Sequence, residues 1–282
     1  MIQARHPRTD GLIGIIGASG FELELLRRQI DITEEGRTET GRFFRGNFAG
    51  KELVLMTSGI GYNHAARACM HLIDRFSPSA ILSLGLAGSV DLTTTVGDIL
   101  LVTHLLRVVD MEKLGVGEIY KVDENIIDII SKILDKNGFT FKIGGILTVP
   151  HFVFKLEERC RIARHIAVKA VEMEGAAIAS EARKHGIPLV ALRLISDDMS
   201  SREINYGMVI GPTGKPTLKG GIRLSLAHGR DIGEVFRFGR EVRRLGTILS
   251  GVGARVVQEI FREKHVFSLT MECNMEDQDG DN

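Results

Sequence analysis

Long apolar runs are missing from this 282-residue chain. No stretch approaches the roughly 20 consecutive apolar residues of a membrane-spanning helix, and the N-terminal MIQARHPRTD carries charge without the apolar stretch of a signal peptide. These features predict a soluble chain, peripheral to a membrane at most. Cysteine is scarce as well. Cys69, Cys160 and Cys273 are widely spaced and share no CxxC or Cys/His ligand spacing, which predicts neither a disulfide framework nor a bound metal, and a reduced, cytoplasmic compartment. An excess of either charge is also lacking, with 36 basic and 36 acidic residues, so the chain as a whole gives no reason to expect a nucleic-acid partner. Internal repeats and low-complexity segments are absent.

What the chain does have is enough apolar content, 44%, for a large core, and short apolar runs that alternate with helical patterns. Strands are predicted at Leu12–Ala18, Gly41–Phe48, Leu53–Thr57, Ala80–Ala87, Gly97–Val109, Phe141–Val149 and Leu189–Ile195. Helices are predicted after Ala18, around Asn63–Phe76, over Glu124–Lys136, in the alanine-rich run after Glu174, and over Ile232–Phe261. The economical architecture is a three-layer α/β/α sandwich forming one domain over 1–265, followed by an acidic, disordered tail at 266–282. Within that domain, 201–265 reads as a glycine- and proline-bearing loop insertion and C-terminal helix, locally basic with 12 Lys/Arg against 6 Asp/Glu. Val235, Phe238, Val242, Leu245 and Leu249 mark one helix face, and Arg237, Arg240, Arg243 and Arg244 lie largely off it. That pattern fits a helix packed on the sheet, or a lid or membrane contact through the basic 219–249 segment.

Three acids stand where such a fold presents its ligands. Asp197 closes a strand, Glu174 opens a helix, and Glu22 falls in the first helical turn after the first strand. Ligands of open α/β sheets bind beyond the carboxyl ends of the strands, so the joint placement outweighs the capping or surface role each acid would have alone. Gly14, Gly17 and Gly20 are spaced GxxGxxG, and Gly14 lies inside the strand, where close packing explains it as well as a phosphate turn does. His64, His104 and His151 read as packing or surface residues.

The segments IGIIGASGFELELL, MTSGIGYNHAA, LSLGLAGSVDLTTTVGDILL and AVEMEGAAIA with LRLISD follow one another in an order that resembles the nucleoside phosphorylase superfamily. Within it the chain is most similar to the 5′-methylthioadenosine/S-adenosylhomocysteine nucleosidases and their relatives, over Leu12–Met199 and the final helix. The resemblance implies a central mixed, partly barrel-like sheet, a homodimer, a small-molecule nucleoside as substrate and no cofactor. It also implies roles. Asp197 protonates the departing purine, with Ser196 orienting it, and Glu22 activates water. Met173 and Glu174 bind the ribose, Phe152 and Val153 stack on and read the base, and Arg193 lies near the site. The chain departs from the family at Leu86, where the nucleosidases carry a serine, which puts ligand contacts at that turn in question. Residues 208–249 are similar to a branch associated with hopanoid biosynthesis, whose members are assigned to removing adenine from adenosylhopane.

Breaking an N-glycosidic bond builds positive charge on the sugar and negative charge on the base, so it calls for an acid at the base and a carboxylate near the sugar. Hydrolysis adds a base for water on the opposite face, with an inverting pair standing about 6.5–9.5 Å apart. Asp197 is expected to have a raised pKa in a dry pocket, and Glu22 to stay ionised. A phosphorylase would need cations around phosphate, yet Ser83 and Leu86 stand at the relevant turn and Glu22 in the glycine loop would repel an anion. The sequence therefore favours a purine nucleosidase, with a phosphorylase or a non-catalytic nucleoside-binding protein as alternatives.

Overall fold

The structure, a computed structural model, describes residues 11–201 and 232–262, with side chains in the second stretch from Arg240 to Phe261. Residues 202–231, which hold most of the glycine-rich loop, and the acidic tail lie outside the described residues.

Buried apolar strands form the middle of the molecule. Strand β1 (Ile13–Gly17) is buried along its whole length and runs parallel to β4 (Lys51–Thr57) on one side and β5 (Ala80–Ser89) on the other. Continuous burial on both faces is what strands under helices require, which is why IGIIG shows no alternation. β5 in turn pairs in parallel with β10 (Leu189–Asp197). The sheet extends past β4 to β3 (Arg42–Phe48) and to an edge strand, β2 (Asp31–Arg37). Ala49 and Gly50, both at positive φ, make the tight β3–β4 turn.

On its other side the sheet closes on itself. β10 pairs with β6 (Ile99–Asp110), β6 with β8 (Phe141–Thr148), β8 with β9 (Ala170–Glu172), and β9 returns to β5. These five strands form a closed, barrel-like ring, as the resemblance implied, and β7 (Gly115–Lys121) hangs from β6.

Helices cover both faces. α2 (Tyr62–Phe76) and α5 (Gly175–Lys184) share one apolar cluster with Leu12, Ile16 and Ile81. Leu72 of α2 lies so close over Gly14 that a Cβ there would meet its Cδ2 at 2.8 Å, so helix packing accounts for that glycine. The opposite face carries α1 (Glu24–Gln29), α3 (Glu124–Lys136) and the long helix α6 (Ile232–Arg262). Val242, Leu245 and Leu249 of α6 are buried while Arg240, Arg243 and Arg244 are exposed, as the spacing predicts; the side chains of Val235, Phe238 and Arg237 lie outside the described set. α4 (Leu156–His165) packs over a third cluster beside β8 and β9. Among the described residues no helix is long and apolar enough to cross a membrane.

Four elements go beyond the sequence reading. β2, β7, β9 and α4 were not anticipated, and the physical reasons differ: β2, DITEEGR, is an edge strand with no buried residue to mark it, and β9 is three residues long. Glu22 also moves, from the expected first helical turn to the turn that precedes α1.

Candidate active site

Because β1, β5 and β10 are parallel and in register, with Gly17 opposite Leu84 and Asp197 opposite Gly88, their carboxyl ends open at one edge of the sheet. There the fold leaves a pocket with about 880 Å³ of empty space, part of it open to solvent. Eight of the nine residues singled out in the sequence line it: Glu22, Leu86, Phe152, Val153, Met173, Glu174, Ser196 and Asp197. Arg193 does not. It is 2% exposed, behind the wall, where its guanidinium binds Glu172 at 3.1 Å and the Ser83 carbonyl at 3.1 Å.

Glu22 is held by backbone donors. The Ser19 N–H reaches Oε2 at 2.7 Å and the Leu86 N–H reaches Oε1 at 3.3 Å. Leu86 has no side-chain hydroxyl, but its main chain touches the acid. Burial pushes the Glu22 carboxyl above the ordinary range, opposed by hydrogen bonds from Ser19 and Leu86 and by the charge of Arg193. At 4% exposure Glu22 has almost no water to solvate its charge, so the ionised form expected of it rests on those hydrogen bonds and on Arg193.

Glu174 sits just before α5, where its Oε1 accepts the Gly61 N–H at 2.6 Å and its Oε2 accepts the Met173 N–H at 3.3 Å. It keeps some accessible surface, as a pocket-lining residue, but lies deep within the protein. Burial first, and the neighbouring Glu172 carboxylate second, push it up to about 8. Glu172 itself was missed by the sequence reading. Its Oε2 accepts the backbone N–H groups of Glu174 at 3.1 Å and Gly175 at 2.7 Å, completing the start of α5, and pairs with Arg193. The signal available was the alternation in Val171-Glu172-Met173-Glu174, which sends two acids to the same side of an extended segment.

At the far side Asp197 ends β10. Its Oδ1 accepts the Ser196 hydroxyl at 2.7 Å, and its Oδ2 pairs with Arg159 of α4. A guanidinium therefore stands against the carboxyl that was expected to lie in a dry pocket. The close approach of Asp197 to β5 needs Gly88, where a Cβ would meet Oδ2 at 2.8 Å. Phe152 and Val153 occupy the extended stretch between β8 and α4, beside His151, which lines the pocket although it reads in sequence as a packing or surface residue. His151 approaches Glu158 at 3.4 Å. The apolar lining includes Phe21, next to Glu22 in the chain, Leu86, whose N–H binds Glu22, Ile60 and, from α6, Val242. Among the described residues no group of three or more His, Cys, Asp or Glu is placed to hold a metal.

The pocket can therefore set three carboxyls against one small molecule: Asp197 at the end of β10, Glu22 in the turn before α1 and Glu174 at the head of α5. Comparison with known proteins bears on this arrangement. The chain is 30% identical over 215 residues, 72% of its length and 94% of the relative's, to a 5′-methylthioadenosine/S-adenosylhomocysteine nucleosidase of Staphylococcus haemolyticus. It is 31% identical over 66% of its length, and 86% of the relative's, to the corresponding Staphylococcus carnosus protein. In fold it is similar to the Neisseria meningitidis nucleosidase of the same description bound to methylthio-immucillin-A, with a TM-score of 0.69, 24% identity and coverage of 88% of this chain and 99% of the other. A native futalosine hydrolase of Helicobacter pylori superposes with a TM-score of 0.68, 22% identity and coverage of 90% and 100%. The family model of the phosphorylase superfamily matches residues 12–206. With strand ends, pocket and sequence in agreement over that span, the chain belongs to the phosphorylase superfamily.

Proposed function

We propose that this chain is a purine nucleosidase, which hydrolyses the N-glycosidic bond of a 5′-substituted adenosine and releases adenine. The observation that carries the reading is the position of Glu22, a buried carboxylate on two backbone donors at the pocket wall. Such a group activates water and repels phosphate. Among the described residues the basic side chains of the lining are Arg159, engaged by Asp197, and His151, whose ring lies 3.4 Å from Glu158, so neither cradles an anion beside Glu22.

In the reaction the C1′–N9 bond breaks with its electron pair passing to the purine, which takes a proton at N7 from Asp197. Water adds its oxygen to C1′ from the opposite face and gives a proton to Glu22. Glu174 hydrogen-bonds the ribose hydroxyls, and its ionised form, which burial and Glu172 disfavour in the ligand-free protein, is favoured as the sugar becomes cationic in the transition state. Phe152 stacks on the base and Val153 reads it through the main chain. The names of the similar proteins, nucleosidases and a hydrolase, support water rather than phosphate. Incubation of candidate nucleosides in phosphate-free buffer, with products separated by chromatography, is expected to give free adenine and free sugar. Strict dependence on phosphate with a sugar 1-phosphate product would make the chain a phosphorylase instead.

The 5′ substituent in this reading is apolar and bulky, adenosylhopane being the compound proposed, because Phe21, Leu86 and Val242 give the Glu22 side apolar walls. Arg240 and Arg243, exposed on the turn that carries Val242, support contact with an anionic membrane surface beside that opening, where the substrate would reside. Arg244 contributes less, since Glu241 binds it at 2.6 Å. The working unit is taken to be a cytoplasmic homodimer of single-domain chains. Better turnover of methylthioadenosine than of adenosylhopane would count against the lipid reading, and sedimentation with anionic vesicles tests the surface contact.

A further inference from the structure

Arg159 has no part in the reaction described so far, although it lines the pocket and is only 6% exposed. With Ile162 it is one of two buried residues of α4. Taking a guanidinium out of water costs several kcal/mol, by order of magnitude, unless its donors are met. Here they are met in one fan. Nε donates to the Val153 carbonyl at 3.1 Å, Nη1 to the Ser89 carbonyl at 3.3 Å and the Asp198 carbonyl at 3.0 Å, and Nη2 to Asp197 Oδ2. The acceptors belong to the base-side stretch, to the end of β5, and to the end of β10 with the residue beyond it. Packing α4 would be served by a leucine or methionine; only a planar cation with five donors ties three such segments at once. Together with the Ser196 hydroxyl on Oδ1 at 2.7 Å, it leaves the Asp197 carboxyl held at both oxygens.

We infer that Arg159 is the positioning residue of the leaving-group side. It holds the Asp197 carboxyl in one orientation and keeps Val153, on the same guanidinium, at a fixed spacing from it, so that the group that reads the base and the group that protonates it move as one. The charge that remains on Asp197 once its proton has passed to N7 faces the guanidinium, with no reorganisation needed at that moment. Arg159 acts through Asp197, and the inference rests on the nucleosidase reading above.

The test compares two substrates with the same 5′-substituted ribose, one carrying adenine and one carrying 4-nitrophenol, whose anion leaves without a proton. Asp197→Asn serves as the reference. Arg159→Ala is expected to lower kcat for adenine release by about 100-fold, the scale of one general acid, with a smaller change in KM, and to lower 4-nitrophenol release by less than about tenfold. Arg159→Lys keeps the charge and loses the fan, and is expected to recover part of the adenine activity. Should Arg159→Ala fail to fold, Arg159→Lys carries the same comparison, with its loss confined to the adenine substrate. Equal losses on both substrates, or full adenine activity in Arg159→Ala, would overturn the inference alone. A wild-type protein that cleaves neither substrate would instead sink the nucleosidase reading and this inference with it.

Discussion

The Leu86 backbone N–H donates to Glu22 Oε1 across 3.3 Å and a separation of 64 residues, tying the turn after β1 to the end of β5. The contact is made by the main chain, so it does not depend on which side chain stands at position 86. The side chain is then free to be apolar, and Leu86 adds to the apolar wall of the pocket.

If Glu22 activates the attacking water, Glu22→Gln keeps its shape and loses its basicity. We expect kcat to fall by about 10²–10⁴-fold with substrate binding retained, measured by base release and by equilibrium titration. The base must be ionised, and burial raises its pKa, so the ascending limb of the wild-type pH profile should lie above the ordinary carboxylate range. A limb at or below the ordinary value would remove Glu22 from this role.

Glu174 gives a stability prediction whose sign follows from linkage. Its carboxyl titrates at about 8 in the folded, ligand-free protein against 4.5 without the fold, so between those values the folded state binds more protons than the unfolded one. Stability from this group is full below pH 4.5 and is lost as pH rises towards 8. Thermal unfolding of the ligand-free protein should show a declining Tm across that window, and Glu174→Gln should flatten part of the decline. Glu22 contributes with the same sign, so a residual slope is expected in the single variant.

Gly88→Ala puts a methyl group 2.8 Å from Asp197 Oδ2. Displacing that carboxyl by even a fraction of an ångström should cost activity, roughly 10–100-fold in kcat, while leaving the fold intact. Circular dichroism with steady-state kinetics separates the two effects. Wild-type kcat in Gly88→Ala would show that Asp197 need not keep this position.

The Arg193–Glu172 pair is almost fully enclosed, at 3.1 Å, with side-chain exposures of 2% and 1%. Arg193→Met should destabilise the protein by about 3–5 kcal/mol, because Glu172 is left as a buried, unpaired charge. Adding Glu172→Gln should restore part of that loss. Denaturant unfolding of the two single variants and the double variant completes the cycle, and strict additivity would deny the pairing.

Strand ends and helix starts were legible in the sequence because buried parallel strands read as short apolar runs, and the acids beyond them interrupt those runs abruptly. Asp197 after LVALRLIS and Glu174 before GAAIA are of this kind. The ring closure was not legible from periodicity, since pairing of β9 with both β5 and β8 involves only a few residues and joins parts of the chain far apart. Arg159 and Glu172 escaped for a related reason. Each is a charged residue in a charged neighbourhood, Glu157-Glu158-Arg159 and Glu172-Met173-Glu174, and nothing local tells which member turns inward. That is decided by partners 38 residues away for Arg159 and 21 for Glu172.

The pocket draws its walls from Ala18 to Val242, and its acids are held by contacts that span the chain. Contacts of such high sequence separation form late, after loop-closure entropy has been overcome. Refolding from denaturant should therefore recover helical signal well before it recovers catalysis, and a partly folded chain would carry all three acids with no chemistry to show for them. Activity in this protein is in that sense a reporter of the completed ring, with β10 seated between β5 and β6 and α6 docked beside Phe21.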